Sequence, residues 1–414
     1  MAATEERATT NQTPVTLDDI TATGPGTLGG RLLRMYWQPV SRVVDLAAGR
    51  AKPVRIMSED FTLYRGVSGT PHVVAFRCAH RGTQLSTGWV EGDDLRCFYH
   101  GWKYDGSGQC IEQPAELEPF CNRIKIRSYP TQEYLGLIFA YFGEGEAPPI
   151  RRFPDFEQPG VLSAGVPEYW PCNFFNRIDN ASDGAHVPWT HRESSMRVAA
   201  AAGRTYVPRP SLPRIAEETE YGVRNGVVSN GEVTFTTHFH MPNTNQTLSS
   251  TRVEGTMQDA ANLATHRLFW RLPVDDEHTV SFVVDWLPMT GEAAEAYLGR
   301  RKHAEESQDA PLGEIADGIL AGRLSMPEVD HSLSTYKLFF IEDYVAQVGQ
   351  GTVANRHEDR PGNSDRGVLL VRQIWQRELT ALAEGQPLKR WRTPAGLMAE
   401  ATAKSAVYGL GGAS

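Results

Sequence analysis

Cys78-Ala79-His80-Arg81-Gly82 and Cys97-Phe98-Tyr99-His100-Gly101-Trp102, with sixteen residues between His80 and Cys97, decide how the rest of this chain is read. Each short segment carries one thiol and one imidazole. A [2Fe–2S] cluster with two Cys on one iron and two His on the other needs that donor set, and imidazole in place of thiolate raises its reduction potential. Tetrahedral zinc also accepts two Cys and two His, but zinc fingers usually pair Cys with Cys and His with His. A glycine follows each His by one or two residues. Glycine permits tight turns and close backbone approach, so N–H groups can point at bridging sulfides. One-electron chemistry is the starting expectation.

At 414 residues the chain exceeds a lone cluster domain and suggests two or three domains. Hydrophobic content of 40% and charged content of 22% fit a globular protein with a sizeable core. A net charge of −9 argues against nucleic acid or an anionic membrane surface as the main partner. No run of about 18 apolar residues is present, so no membrane span is expected. The opening MAATEERATTNQTP lacks a basic stretch leading into an apolar core, so it reads as a disordered tail over 1–24 rather than a secretion signal. Cys110, Cys121 and Cys172 remain after the cluster ligands; three leftover thiols make no disulfide framework and fit a cytoplasmic location.

GPGTLGG at 24–30 reads as a breaker, followed by a short helix carrying Leu32, Leu33, Tyr36 and Trp37. PVRIM, FTLYRG, PHVVAFR, DLRCFYH and LGLIFAYFG then read as short strands separated by turns. Farther on, NGEVTFTTHFHMP, HRLFWRLPVDD and HTVSFVVDWLP read as long antiparallel strands. STYKLFFIEDYVAQVGQ and GVLLVRQIWQRELTALAEG read as helices, with the polar loop ANRHEDRPGNSDRG between them. The fold class is α+β: a small all-β cluster domain with an N-terminal helix at 25–148, then a catalytic domain at 149–414 with an antiparallel sheet and flanking helices.

The second chemical motif is Asn180-Ala-Ser-Asp183-Gly-Ala-His186-Val-Pro-Trp-Thr-His191. On a regular helix His186 and His191, five apart, reach one ion only if the turn is distorted, and Pro188 supplies a reason for a break. Two His and one carboxylate on one face of Fe(II) leave positions for O2 and substrate.

Both motifs, in this order, resemble Rieske non-haem iron aromatic ring-hydroxylating oxygenases, at the alpha (terminal oxygenase) subunit and its phthalate-dioxygenase-like branch. Respiratory Rieske proteins carry an extra Cys in each loop and Gly-Ser after the second His; Thr83, Tyr99 and Gly101-Trp102 stand in those places here. With fewer hydroxyl hydrogen bonds to the cluster, a lower potential is expected. The resemblance implies that Cys78, His80, Cys97 and His100 hold the cluster and that His186 and His191 bind a mononuclear Fe(II). It implies that the Asp183 carboxylate links this iron to His80 or His100 of a neighbouring subunit. By the same resemblance Asn180 is expected near the iron, and the third ligand is expected to be a carboxylate on a late helix, Asp343 by preference, with Glu342 left open. Loop elements in QGTVANRHEDRPGNSDRGVLLVRQ and the Pro273-Val274-Asp275-Asp276 stretch look like the same branch; His357 receives no role.

The resemblance further implies a homotrimer supplied with electrons from NADH or NADPH by a separate reductase, alone or through a ferredoxin. No G-x-G-x-x-G follows a strand in this chain to supply a nicotinamide fold. The implied substrate is an aromatic carboxylate or aryl ether, oxidised by cis-dihydroxylation or by monooxygenation with dealkylation. The alternative is a Rieske monooxygenase acting on a non-aromatic or alkaloid-like compound, and the contrasting class is a pure electron carrier. Arg192 and Arg197 are candidates to pair a substrate carboxylate, and His238 and His240 share one face of a strand, where a structural role is the expectation.

Overall fold

The computed structural model describes residues 14–201, 203–207, 214–229, 232–249, 265–306 and 312–399. Short strands form three antiparallel sheets before residue 142. One orders Arg50–Ile56, Glu59–Arg65, Pro71–Ala75 and Ser128–Tyr129, and a second orders Trp89–Glu91, Asp94–Arg96, Lys103–Tyr104 and Cys110–Glu112. The third places Leu137–Tyr141 between Trp37–Arg42 and Thr131–Tyr134, and all five residues of that central strand are buried. The run expected as one strand over DLRCFYH stops at Arg96. There the chain turns, because Gly101 takes a left-handed φ of 73°, and Cys97–His100 becomes a loop instead of a strand.

The first helix differs from expectation. It spans Leu28–Arg34, beginning within the glycine-rich stretch, and Tyr36 and Trp37 lie beyond it, Trp37 opening a strand. The Thr27 hydroxyl caps it by accepting from Gly30 N at 3.1 Å. Gly29 and Gly30 are glycines for packing: a Cβ at Gly30 would fall 1.9 Å from the Gly24 carbonyl oxygen. Part of the expected disordered tail is likewise structured. Asp18–Thr21 forms a helical turn with Ile20 fully buried, because Ile20 joins the main core; residues 1–13 lie outside the described residues.

Beyond Pro154 an eight-stranded antiparallel sheet dominates. Its order is Val161–Ala164, Thr279–Leu287, Thr265–Pro273, Thr244–Ser249, Glu232–His240, Gly222–Ser229 and Arg214–Glu218, with Glu168–Trp170 also paired to Thr279–Leu287. Thr279–Leu287 is buried at all nine positions, as befits a strand covered on both faces. Both expected late helices are present, at Thr335–Val348 and Arg366–Ala383. The second buries Val368, Val371, Ile374, Trp375 and Leu379, a stripe at helical spacing. Its Trp375 is fully buried and donates to the Pro242 carbonyl at 3.0 Å; that apolar burial contributes about 2–3 kcal/mol. The core is continuous from the small sheets into the large one, where Phe139 meets Trp270 edge-on at 5.6 Å. No helix among the described residues is long and apolar enough to cross a membrane.

Candidate metal centres

The two Cys-His segments fold into loops with the same backbone wiring. Cys78 N donates to Thr83 O at 2.8 Å and Gly82 N to Cys78 O at 3.0 Å. Cys97 N donates to Trp102 O at 2.8 Å and Gly101 N to Cys97 O at 3.1 Å. In each loop the glycine four residues after the Cys takes a left-handed φ, 75° at Gly82 and 73° at Gly101. The recurring unit is therefore Cys followed by Gly at the fourth place, with the His one residue earlier in the first loop than in the second.

These loops bring the four donors together. Cys78 and Cys97 are buried and unbridged, and the His80 and His100 rings lie 4.5 Å apart. His80 is held by Trp102, stacked on it at 4.6 Å and 7°. Its Nδ1 is buried with no hydrogen-bond partner among the described residues, a lone pair suited to a metal. Burial pushes the Cys97 thiol up, so iron binding must displace its proton. One hydroxyl does reach the site: Tyr104 OH lies 3.2 Å from Cys78 Sγ. Donor types, burial and the orphaned nitrogen all fit a [2Fe–2S] cluster.

The second motif breaks its helix as expected. Phe174–Ser182 ends before Asp183, a single turn Val187–Thr190 carries Pro188 at its start, and Arg192–Ala201 begins anew. His186 and His191 flank that turn, with ring centroids 5.5 Å apart. Asp343 meets both: its Oδ1 is 3.9 Å from His186 Nε2 and 3.7 Å from His191 Nε2. One ligand atom from each of the three lies within 4.8 Å of the others. Donors about 2.1 Å from a shared ion stand up to about 4.2 Å apart, so the set fits one metal after a small inward shift.

Each imidazole is turned so that Nε2 faces Asp343. His191 Nδ1 contacts Glu342 Oε2 at 3.1 Å, and Glu342 also accepts from Ser194 N at 2.9 Å and Ser194 Oγ at 2.7 Å. His186 Nδ1 contacts the backbone carbonyl of Asp183. An N–H donated from Nδ1 leaves the Nε2 lone pair free. Burial pushes the His186 pKa down despite nearby Asp343, which favours the neutral, metal-competent form. The adjacent acids thus divide, Asp343 facing both Nε2 atoms and Glu342 holding the back of one ring. That division was not legible in the Glu-Asp pair itself.

Other expected residues fall as follows. Asn180 Nδ2 reaches Asp343 Oδ1 at 3.5 Å. The Asp183 carboxylate accepts from Ala185 N at 2.7 Å and lies 3.9 Å from His186 Nδ1, so its carbonyl, not its carboxylate, makes the direct contact with that ring. His238 contacts Tyr221 OH at 2.8 Å and His240 contacts Gln246 at 2.9 Å inside the core, as structural residues. Arg197 spends its guanidinium on the carbonyls of Val329 and Asp330, and Arg192 is exposed, so neither stands out as a carboxylate clamp. Cys110, Cys121 and Cys172 are free thiols.

The chain is also similar to known proteins. Residues 36–130 match the Rieske [2Fe-2S] domain family. The oxygenase subunit of 5,5'-dehydrodivanillate O-demethylase from Sphingobium sp. (strain NBRC 103272 / SYK-6) is 30% identical over 90% of this chain and 81% of its own length. The oxygenase subunit of phthalate 4,5-dioxygenase from Pseudomonas putida is 27% identical over 86% of this chain and 84% of its own. Among solved structures, a variant of NdmA from Pseudomonas putida CBB5 with caffeine superposes with a TM-score of 0.62 at 21% identity, covering 87% of this chain and 94% of that one, a likeness of fold. The chain therefore belongs to the Rieske oxygenases, oxidoreductases of the aromatic ring-hydroxylating type, and is an oxygenase (alpha) subunit.

Proposed function

We propose that Cys78, His80, Cys97 and His100 hold the [2Fe–2S] cluster and that His186, His191 and Asp343 hold Fe(II), in a terminal oxygenase that hydroxylates or O-dealkylates an aromatic carboxylate or aryl ether. The observation that carries the reading is the convergence of two Nε2 atoms on Asp343 Oδ1 at 3.9 and 3.7 Å, in a chain that also assembles a cluster donor set. When bound, the mononuclear iron supplies O2 activation and the cluster supplies single electrons. The protein's own part is orientation. Glu342 fixes the His191 ring, the Asp183 carbonyl fixes His186, and Phe339 packs on His191 with ring centroids 4.2 Å apart. The two curated relatives are named for dehydrodivanillate and phthalate, both carboxylate anions, and the first is an O-demethylase.

The finer reading divides the chain into a cluster domain at 25–148 and a catalytic domain at 149–414. It makes the assembly a cytoplasmic homotrimer, with a separate reductase supplying electrons from NADH or NADPH, alone or through a ferredoxin. In the trimer Asp183 faces His80 or His100 of the next subunit. In support, the Asp183 carboxylate stays partly exposed, and Trp89, Phe98 and Tyr99 present apolar surface beside the cluster loops. The mass in solution checks the trimer.

Iron analysis tests the oxygenase reading. The holoprotein is expected to carry three irons per chain, two from the cluster and one from the mononuclear site. Cys97→Ser removes the visible absorption and two irons while keeping the third. Wild-type protein that keeps only two irons per chain even after loading with saturating Fe(II) would overturn His186, His191 and Asp343 as the mononuclear site.

A further inference from the structure

Beside Asp343 lies a buried cluster in which, among the described residues, the guanidiniums of Arg177 and Arg271 both approach the Glu168 carboxylate. The sheet register aligns Glu168, Ser281 and Arg271 in one row, since Glu168 and Arg271 both pair with Ser281. Arg177, from the helix Phe174–Ser182, comes down onto this row. It donates to Gln347 Oε1 at 2.9 Å, contacts Glu168 at 3.3 Å and stacks 3.4 Å over Trp170. Glu168 is thus committed to Arg177. Arg271 stands 3.9 Å from that carboxylate and donates to the neutral Ser281 hydroxyl at 2.7 Å. Two guanidiniums therefore share one carboxylate.

Donors are also left over. Arg271 Nε, Gln347 Nε2 and Trp170 Nε1 are all buried without a hydrogen-bond partner among the described residues. A buried cation with unmet N–H groups costs several kcal/mol unless an anion answers it. Burial and the neighbouring Arg177 push the Arg271 pKa down to about 9, the mark of a charge short of a partner. Position ties the cluster to the metal site. Gln347 is one helical turn from Asp343, Arg177 is one turn from Asn180, and the Asp343 charge is felt at Arg271. Phe269 lies on the same face of the strand as Arg271, its ring centroid 4.5 Å from the guanidinium carbon. It stays partly exposed although its strand is interior to the sheet, so the sheet is open there.

We propose that Arg271, backed by Arg177, forms a buried anion site that takes the carboxylate of an aromatic substrate and holds its ring over Phe269, facing the metal ligands. This rests on the oxygenase reading above and replaces Arg192 and Arg197 as carboxylate anchor. Arg271 fits the task because its planar fork can pair a carboxylate while Arg177 offsets the charge of Glu168.

Equilibrium titration of the holoenzyme with benzoate and with benzamide, its neutral isostere, isolates the charge. Benzoate is expected to bind about ten- to a hundred-fold tighter. Arg271→Met is expected to erase that preference, with benzamide affinity and iron content held at wild-type levels. Arg271→Lys, which keeps the charge and loses the fork, is expected to retain part of it and serves if the Met variant does not fold. Equal affinity for the two probes in the wild type, or a preference that survives in Arg271→Met, overturns the proposal. Repeating the titration in chloride separates a resident inorganic ion: competition that disappears in Arg271→Met supports the site, whereas chloride that benzoate cannot displace overturns the substrate role. If both probes bind equally but methoxybenzene is still oxidised by protein with three irons per chain, the anion site falls and the oxygenase reading stands.

Discussion

Asp343→Ala is expected to yield protein with two irons per chain, an unaltered cluster spectrum and product formation below detection. Its neighbour behaves differently: Glu342→Gln keeps a third iron at saturating Fe(II) but binds it about 10- to 100-fold more weakly. The contrast follows from where the two carboxylates point. Asp343 Oδ1 lies within 4 Å of both Nε2 atoms and is the only carboxylate to complete the three-donor set among the described residues. Glu342 is buried behind His191, with its oxygens already accepting from Ser194 N and Ser194 Oγ and in contact with His191 Nδ1. A glutamine there still offers one oxygen, but its NH2 must face a donor, so the ring loses part of its anchor while the fold is kept. Co(II) titration of protein stripped of its mononuclear iron reads the affinity without relying on turnover. Iron lost in Glu342→Gln and retained in Asp343→Ala would reverse the ligand assignment.

Why the cluster was legible, and the anion site was not, comes down to how local each is. Cys78, His80, Cys97 and His100 sit in two loops whose wiring closes within six residues, so spacing alone carries the geometry. The His186–His191 turn is equally local, and Pro188 announces its break. Arg271 depends on strand register: Ser281 faces it across a hairpin, but Glu168, from a strand far earlier in the chain, joins them only because a third strand aligns. The strand Thr244–Ser249 was missed for a related reason. It lies inside the sheet yet reads TNQTLS, with Thr244, Asn245 and Gln246 all buried. Gln246 answers His240, so polarity that signals a loop is satisfied within the sheet. Glycine at 29 and 30 misled in the opposite direction. It read as a breaker, whereas it lets a helix lie against the Thr23–Gly24 carbonyls.

The stretch around Arg356 and Arg372, singled out in the sequence only as a family-like pattern, has a mechanical task, and its removal should have the largest effect on stability. Asp179 lies one turn before Asp183 on the helix that feeds the metal site. Its carboxylate accepts from Arg356 Nε at 2.9 Å and from Arg372 Nε and Nη2 at 3.1 and 2.8 Å. Three segments are stapled there: the site helix, the loop holding Arg356, and the long helix Arg366–Ala383. Asp179→Asn leaves two buried guanidiniums against a neutral amide, a loss of about 3–5 kcal/mol, and the thermal midpoint should fall by about 3–6 °C. The two arginines are not equally stranded. Arg372 keeps Asp359 at 2.7 Å, whereas Arg356, almost fully buried, keeps only neutral partners among the described residues, the Ala354 carbonyl, Asn176 Oδ1 and the Phe175 ring. Adding Arg356→Met to Asp179→Asn should therefore recover part of the midpoint by removing the charge with no remaining counter-ion, while adding Arg372→Met should recover less. Because the strain falls on the helix leading to Asp183 and His186, the mononuclear iron should be released on heating before the cluster bleaches. A midpoint within one or two degrees of wild type in Asp179→Asn, or cluster bleaching first, would show that the two arginines decorate this helix and do not hold it.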